Sequence, residues 1–247
     1  MKISSTQNEM IKALAKLKTK KAREQQQRFL LEDVDLLKEA LALNLVETIC
    51  YVGKFPSLDG VKMQEVSENV LKKLSTLKSP GNFVAVCKMP VSTKEGNYVI
   101  ALDGLQDPGN GGTILRSALA FGFEEILISS SSFDIYNEKF IRATKGAFFH
   151  LPIKRLDLLE ELKKRKMAGY ELIALMPDEQ AKALADLKVS SKMVIIVGSE
   201  GQGISKEIAS LAKQKIVIPI AKKMESLNAA VAAAISMYEV QQKRGKE

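Results

Sequence analysis

The feature that most constrains this chain lies in its second half, where short apolar runs recur with helical segments between them. The runs occupy 98 to 102, 125 to 129, 171 to 175, 193 to 197 and 216 to 220, and helical patterns fall at 112 to 121, 156 to 166 and 205 to 213. Short strands apolar on both faces need cover on both faces, and the alternating helices supply it. The pattern therefore predicts a parallel sheet in an α/β domain. A last helix is expected from 227 to about 242, with Leu227, Ala230, Val231, Ala234, Ile235 and Tyr238 on one side. A stripe so rich in small residues reads as packing surface, with a subunit interface as a second use.

The first half alternates in the same way on a smaller scale. Thr6-Gln7-Asn8-Glu9 has capping-box spacing, and Met10, Leu14 and Leu17 follow at helical intervals. Lys12, Lys16 and Lys20 recur every four residues on another side, which suits either a solvated face or an RNA-contacting stripe. A strand over 29 to 31, a helix over 34 to 43, a strand over 46 to 52, a helix over 66 to 77 and a strand over 83 to 88 then predict a small α/β domain. The polar stretch from Met89 to Asn97 holds Pro90 and Gly96 and marks the boundary. The expected division is a domain over 1–90, a linker over 91–97 and a second domain over 98–247.

Composition narrows the chemistry. A formal charge of +8 favours a polyanionic partner. Two cysteines far apart and one histidine leave no Cys/His metal site and no histidine-activated serine or cysteine pair. Cys50 and Cys87 sit in apolar runs and read as buried, reduced thiols, and His150 in Phe148-Phe149-His150-Leu151-Pro152 reads as structural. The opening residues lead into a lysine-rich helix, and no run of about 18 apolar residues occurs, so a soluble cytoplasmic protein with no membrane partner is expected.

Three segments set small or polar residues directly after a buried strand, where open α/β sheets place their ligands. The first runs from Asp103 through Asp107-Pro108-Gly109-Asn110-Gly111-Gly112 to Arg116, about one turn into the next helix. Its glycines allow close backbone approach to a ligand, and Asn110 offers a donor and an acceptor. Arg116 by itself could be an ordinary surface arginine. The second is Gly198-Ser199-Glu200-Gly201-Gln202-Gly203; its spacing is neither a dinucleotide fingerprint nor a P-loop, and alone it would suit a tight turn. The third is Ile218-Pro219-Ile220, then Ser226-Leu227-Asn228. Ser226 or a neighbour serves equally as a helix cap, whereas Asn228 inside an Ala/Val/Ile helix needs a polar partner.

Taken together in this order and spacing, the three segments resemble the motifs of the SpoU (TrmH) family of SPOUT-class RNA methyltransferases. Ser130-Ser131-Ser132-Phe133-Asp134, Arg142-Ala143-Thr144 and Gly146-Ala147 fit the same pattern. The likeness covers roughly 98 to 242, and the first 90 residues resemble the family's ribosomal-protein-like substrate-binding domain. The resemblance implies a C-terminal domain threaded into a trefoil knot, S-adenosylmethionine as cofactor, and methylation of a ribose 2′-hydroxyl in structured RNA. It also implies a homodimer with the active site at the interface. Gly198, Gly201, Ile218 and Leu227 match cofactor-binding positions. Arg116 matches the arginine presented to the RNA, and Asn110, Glu200, Ser226 and Asn228 match the polar positions that order it. The two-domain arrangement resembles members acting on ribosomal RNA more closely than those acting on transfer RNA; a silent RNA-binding assembly factor would not need that full polar set. The chain departs from the family twice, lacking the glycine common before Ser226 and carrying Asp33 where Gly is frequent.

Overall fold

The computed structural model describes residues 2–91 and 94–244. The chain divides into two compact units, Met1–Val91 and Ser92–Glu247. Ser92 and Thr93 of the expected linker lie outside the described residues.

In the first unit, α1 (Glu9–Ala15) is capped by Asn8, whose side chain accepts from the Met10 and Ile11 amides. The expected capping box from Thr6 is thus replaced by a cap two residues later, and Glu9 pairs instead with Lys12 at 2.9 Å. The helix does not reach Leu17: a 3-10 turn, Lys16–Lys18, leads to Thr19, which caps the unforeseen α2 (Lys20–Gln26). There follow β1 (Arg28–Leu31), α3 (Val34–Ala42), β2 (Val46–Tyr51), β3 (Lys62–Glu65), α4 (Glu68–Leu74) and β4 (Phe83–Lys88). Asp33 has a local reason to be there, since its carboxylate caps α3 at the Asp35 and Leu36 amides. The sheet order is β1-β4-β2-β3, with β4 antiparallel to both neighbours and β3 parallel to β2. Ile11, Leu14 and Leu17 meet Val70, Leu71 and Leu74 over Cys50, Val84 and Val86. Both cysteines are free and buried, and burial pushes the thiols up to about 11 for Cys50 and about 12 for Cys87.

The second unit is built on seven strands: β5 (Tyr98–Asp103), β6 (Glu125–Ser129), β7 (Ile153–Leu156), β8 (Glu171–Leu175), β9 (Lys182–Ala183), β10 (Met193–Gly198) and β11 (Gln214–Val217). They are parallel throughout, in the order β7-β6-β5-β10-β8-β11-β9. Its helices are α5 (Pro108–Ala120), α6 (Glu138–Ala143), α7 (Leu158–Met167), α8 (Lys206–Leu211) and α9 (Ala229–Lys243). The parallel sheet is as the sequence predicts. The strand β11 starts and ends earlier than expected, because Pro219 has no N–H to offer a ladder. The edge strands β7 and β9 and the short α6 lack the continuous apolar runs that mark the central strands, and periodicity misses them. After β11 the chain returns across the sheet so that α9 packs on α5; the knotted path implied by the resemblance requires such a traverse.

On α9 the buried side is Ala229, Ala230, Ala233, Met237 and Val240. Of the stripe expected to pack, Val231, Ile235 and Tyr238 are instead exposed, at 48%, 38% and 49%. A helix apolar on most sides has no single face that periodicity can select, and close approach to α5 favours the alanines. His150 is exposed and ends a 3-10 turn, contrary to the buried setting its neighbours suggest.

At the amino ends of the strands lies a buried charge cluster. Arg165 of α7, 2% exposed, makes a two-pronged contact with the fully buried Glu125 of β6, each arm 3.0 Å. Its Nε donates to Glu161 at 2.8 Å, and Lys154 of β7 reaches Glu125 at 2.7 Å. The Tyr170 hydroxyl accepts from Arg165 and donates to the Gly96 carbonyl at 2.9 Å, while the Gly96 amide donates to Glu125 at 3.0 Å. Burial works against the Arg165 charge, but the hydrogen bonds it donates to Glu161 and Glu125 outweigh it and hold the guanidinium pKa above its ordinary value. Removing one member strands the other in a desolvated site. Glu125→Ala should therefore cost about 3–5 kcal/mol of stability, measured by urea denaturation beside the unaltered protein.

Candidate active site

The carboxyl ends of β8, β10 and β11 open onto a cavity of about 370 Å³. It lies where the strand order departs from the order of the chain, the usual ligand crevice of open parallel sheets, and falls within the roughly 300–1,000 Å³ of small-molecule sites. Leu175, Met176 and Pro177 wall it after β8, Val197 to Glu200 after β10, and Val217, Ile218 and Met224 to Leu227 on the way into α9. Thus Gly198, Ile218, Leu227, Glu200 and Ser226, singled out from sequence, border one cavity. Gly201 is exposed and does not line it.

The loop after β10 is folded by its own backbone. Ser199 and Gly203 exchange amide hydrogen bonds of 3.1 and 3.0 Å, and the Ser199 hydroxyl accepts from the Gln202 amide. A Cβ at Gly198 would collide with the Gly203–Ile204 peptide, whereas one at Gly201 would meet nothing within 4 Å. The glycine at 198 is therefore required by the protein's own chain before any ligand. The same correction applies to the first motif: a Cβ at Gly111 would strike the Phe133 ring, and one at Gly112 would lie 2.5 Å from the Ala143 Cβ. These glycines admit α6 and its preceding loop against α5.

The helix α5 begins earlier than expected, with Asp107 as cap and Pro108 in its first turn. Asn110 consequently sits in that first turn, and Arg116 is more than two turns along. Lys139 donates to Asp107 and the Gly109 amide donates to it as well, which holds the Asp107 carboxyl below its usual range. Asn228 lies just ahead of α9, not inside it. Its Oδ1 accepts from the Ala230 and Val231 amides, so its Nδ2 is left to donate to Asn110 Oδ1 at 3.1 Å. Asn110 Nδ2 in turn donates to Glu200 Oε1 at 2.6 Å. Three residues from the three motifs thus form one directed chain ending at the cavity rim, and Asn228, not Ser226, is the cap.

Arg116 is exposed and is not among the residues lining the cavity. Six residues beyond Asn110, it lies about 9 Å further along α5 and about 120° around it. Within the chain it is not brought to Asn110. Sequence reasoning missed Asp103, whose Oδ2 accepts from the Ser205 amide at 2.8 Å and ties the end of β5 to the start of α8. It missed the Met176-Pro177 wall too, because the residues directly after that strand are not the small or polar ones that marked the other three segments.

Comparison with known proteins shows the family. The SpoU rRNA Methylase family model matches residues 97–238, and the MRM3-like substrate binding domain model matches residues 8–85. The chain belongs to the SpoU rRNA methylase family. It is 31% identical to the 23S rRNA (guanosine(2553)-2'-O)-methyltransferase RlmP of Bacillus subtilis, over 96% of this chain and 98% of that one. Among solved structures it is similar to an AdoMet-bound rRNA methyltransferase from Sinorhizobium meliloti, with TM-score 0.85 and 28% identity over 99% of this chain and 98% of that one. It is also similar to an RNA 2'-O ribose methyltransferase, with TM-score 0.79 and 32% identity over 99% of each chain.

Two glycines three residues apart make opposite expectations. Gly198→Ala should lower stability by about 1–3 kcal/mol, the usual cost of overpacking, whereas Gly201→Ala should leave the melting temperature unchanged. Thermal denaturation of the two variants side by side checks this.

Proposed function

We propose that this protein transfers a methyl group from S-adenosylmethionine to a ribose 2′-hydroxyl of ribosomal RNA, in the cytoplasm and as a homodimer. The observation that carries the reading is the convergence of a cavity and the Asn228–Asn110–Glu200 chain on one edge of the sheet. Family membership and the relative named for 23S rRNA support the reaction and the RNA class. Among the described residues no helix is long and apolar enough to cross a membrane.

The cavity suits the cofactor by its chemistry: Leu175, Val197 and Ile218 offer apolar walls to a flat base, and Glu200 and Ser226 offer polar atoms. Gly198, Ile218 and Leu227 would hold it, with Gly201 in the adjoining turn. When bound, S-adenosylmethionine supplies an electrophilic methyl on a sulfonium. What remains for the protein is to align the ribose oxygen, exclude water and dispose of one proton; alignment alone can supply roughly 7–11 kcal/mol. Glu200, Asn110, Asn228 and Ser226 order the polar rim. A guanidinium keeps its proton at physiological pH, so Arg116 acts by charge: it holds a phosphate of the target and stabilises the developing alkoxide, and that phosphate accepts the proton.

The separation of Arg116 from the cavity of its own chain supports a second protomer delivering it. So does the apolar strip shared by α5 and α9, where Leu119, Val231, Ile235 and Tyr238 are exposed and Phe121 stacks edge-on against Tyr238 at 5.7 Å. The domain over 1–90, with its match to a substrate-binding model, serves to engage RNA.

Incubation with methyl-labelled S-adenosylmethionine and unmodified 23S rRNA, followed by nucleoside mass spectrometry, should yield a 2′-O-methylnucleoside; a base-methylated product would overturn the ribose assignment. Arg116→Ala should abolish transfer while S-adenosylmethionine affinity is retained, and parallel loss of both would remove Arg116 from the chemistry. Ile235→Lys should convert the dimer to a monomer by light scattering and eliminate activity.

A further inference from the structure

Between Lys139 and Lys145 the chain carries three cations on or just after α6, and the structure separates them. Lys139 is neutralised by Asp107 at 2.5 Å, and Arg142 by Glu138 at 2.5 Å. Lys145 is exposed, and among the described residues it has no carboxylate partner; the same is true of Arg116.

The backbone at Lys145 is left-handed, as it is at Gln27 and Asn44 after other helices. It has φ +49, followed by Gly146 at φ +92. This is the left-handed position just past a helix end, where glycine is the easiest residue and a long side chain is strained. Nothing in the local fold asks for a lysine there. The position also faces the right neighbour: Ala143 lies against Gly112, and Arg116 is one turn beyond Gly112 on the same side of α5, about 6 Å along the axis. The α5–α6 contact advances along both helices in the same sense, Lys139 beside Gly109 and Ala143 beside Gly112, so the chain leaves α6 at Lys145 heading toward the Arg116 end of α5.

We propose that Lys145 is a substrate-positioning residue that holds the RNA backbone phosphate next to the one held by Arg116, so that two unneutralised cations fix the register of the target strand. This rests on the RNA-methylating reading above and extends it to a residue outside the cavity. Lysine suits the task as a mobile point charge.

Three proteins, the unaltered chain, Lys145→Gly and Lys145→Arg, should be compared by filter binding to an unmodified 23S rRNA transcript between 50 and 200 mM salt. Loss of one phosphate contact reduces the salt slope by about 0.7–0.9, so the unaltered protein should lose about threefold more affinity over that range than Lys145→Gly. Lys145→Arg should restore the slope. The glycine variant should melt at the same temperature as the unaltered protein or higher, with S-adenosylmethionine affinity unchanged. An unchanged salt slope would overturn the proposal, as would a lower melting temperature with proportionate loss of binding to both RNA and S-adenosylmethionine. Methyl transfer by the unaltered protein to the same transcript tests the parent reading separately: binding with the predicted slopes but no transfer would refute that reading and leave the phosphate contact standing.

Discussion

A guanidinium and a carboxylate shut away from water at one end of a parallel sheet set the terms for the other end. Arg165 and Glu125 are worth little to the fold as a pair of charges, since their attraction mainly offsets the cost of desolvating them. Their value is positional. Through Lys154, Glu161, Tyr170 and Gly96 they bind together β6, β7, α7, the entry to β8 and the segment that leads into β5. With the amino ends of these strands tied together, the loops at the carboxyl ends can give up regular hydrogen bonding and be shaped for a ligand.

That shaping uses few interactions, each crossing a long stretch of sequence. Asn228 and Asn110 are 118 residues apart and Asn110 and Glu200 are 90 apart, yet the three side chains form one hydrogen-bonded line. The helix cap fixes its sense. Because Asn228 spends its oxygen on the amides of α9, its amide group must point to Asn110, and Asn110 must then present its own amide to Glu200. A backbone requirement of the last helix is thereby transmitted to a carboxylate at the cavity rim. Asp103 makes a second crossing, from β5 to the amide at the start of α8.

The central strands and the three motif loops were legible in the sequence because buried parallel strands are nearly unbroken apolar runs and the turns after them carry Gly, Asn and Ser. Less was legible where a residue type has more than one use. Gly111 and Gly112 looked like ligand-approach glycines but make room for Phe133 and Ala143; Gly198 makes room for the chain's own peptide. On α9, alanines and larger aliphatics compete for the buried side, and only the proximity of α5 decides between them. Asn228 was recognised as needing a partner, but its place as a cap, and the identity of that partner, are tertiary facts. The distance of Arg116 from the cavity was equally invisible, since it depends on where α5 begins.

The placement of β10 has a consequence for how the molecule comes into being. In the sheet it lies between β5 and β8, yet both precede it in the chain. A growing sheet cannot simply be extended at its edge as the polypeptide emerges from the ribosome; the middle must stay open until residues 193–198 arrive, and one of their two pairings, with β5, joins residues 95 apart. Long-range closure of this kind is entropically slow. The facing edges of β5 and β8, both apolar, therefore stay without the strand that joins them until residues 193–198 have been made.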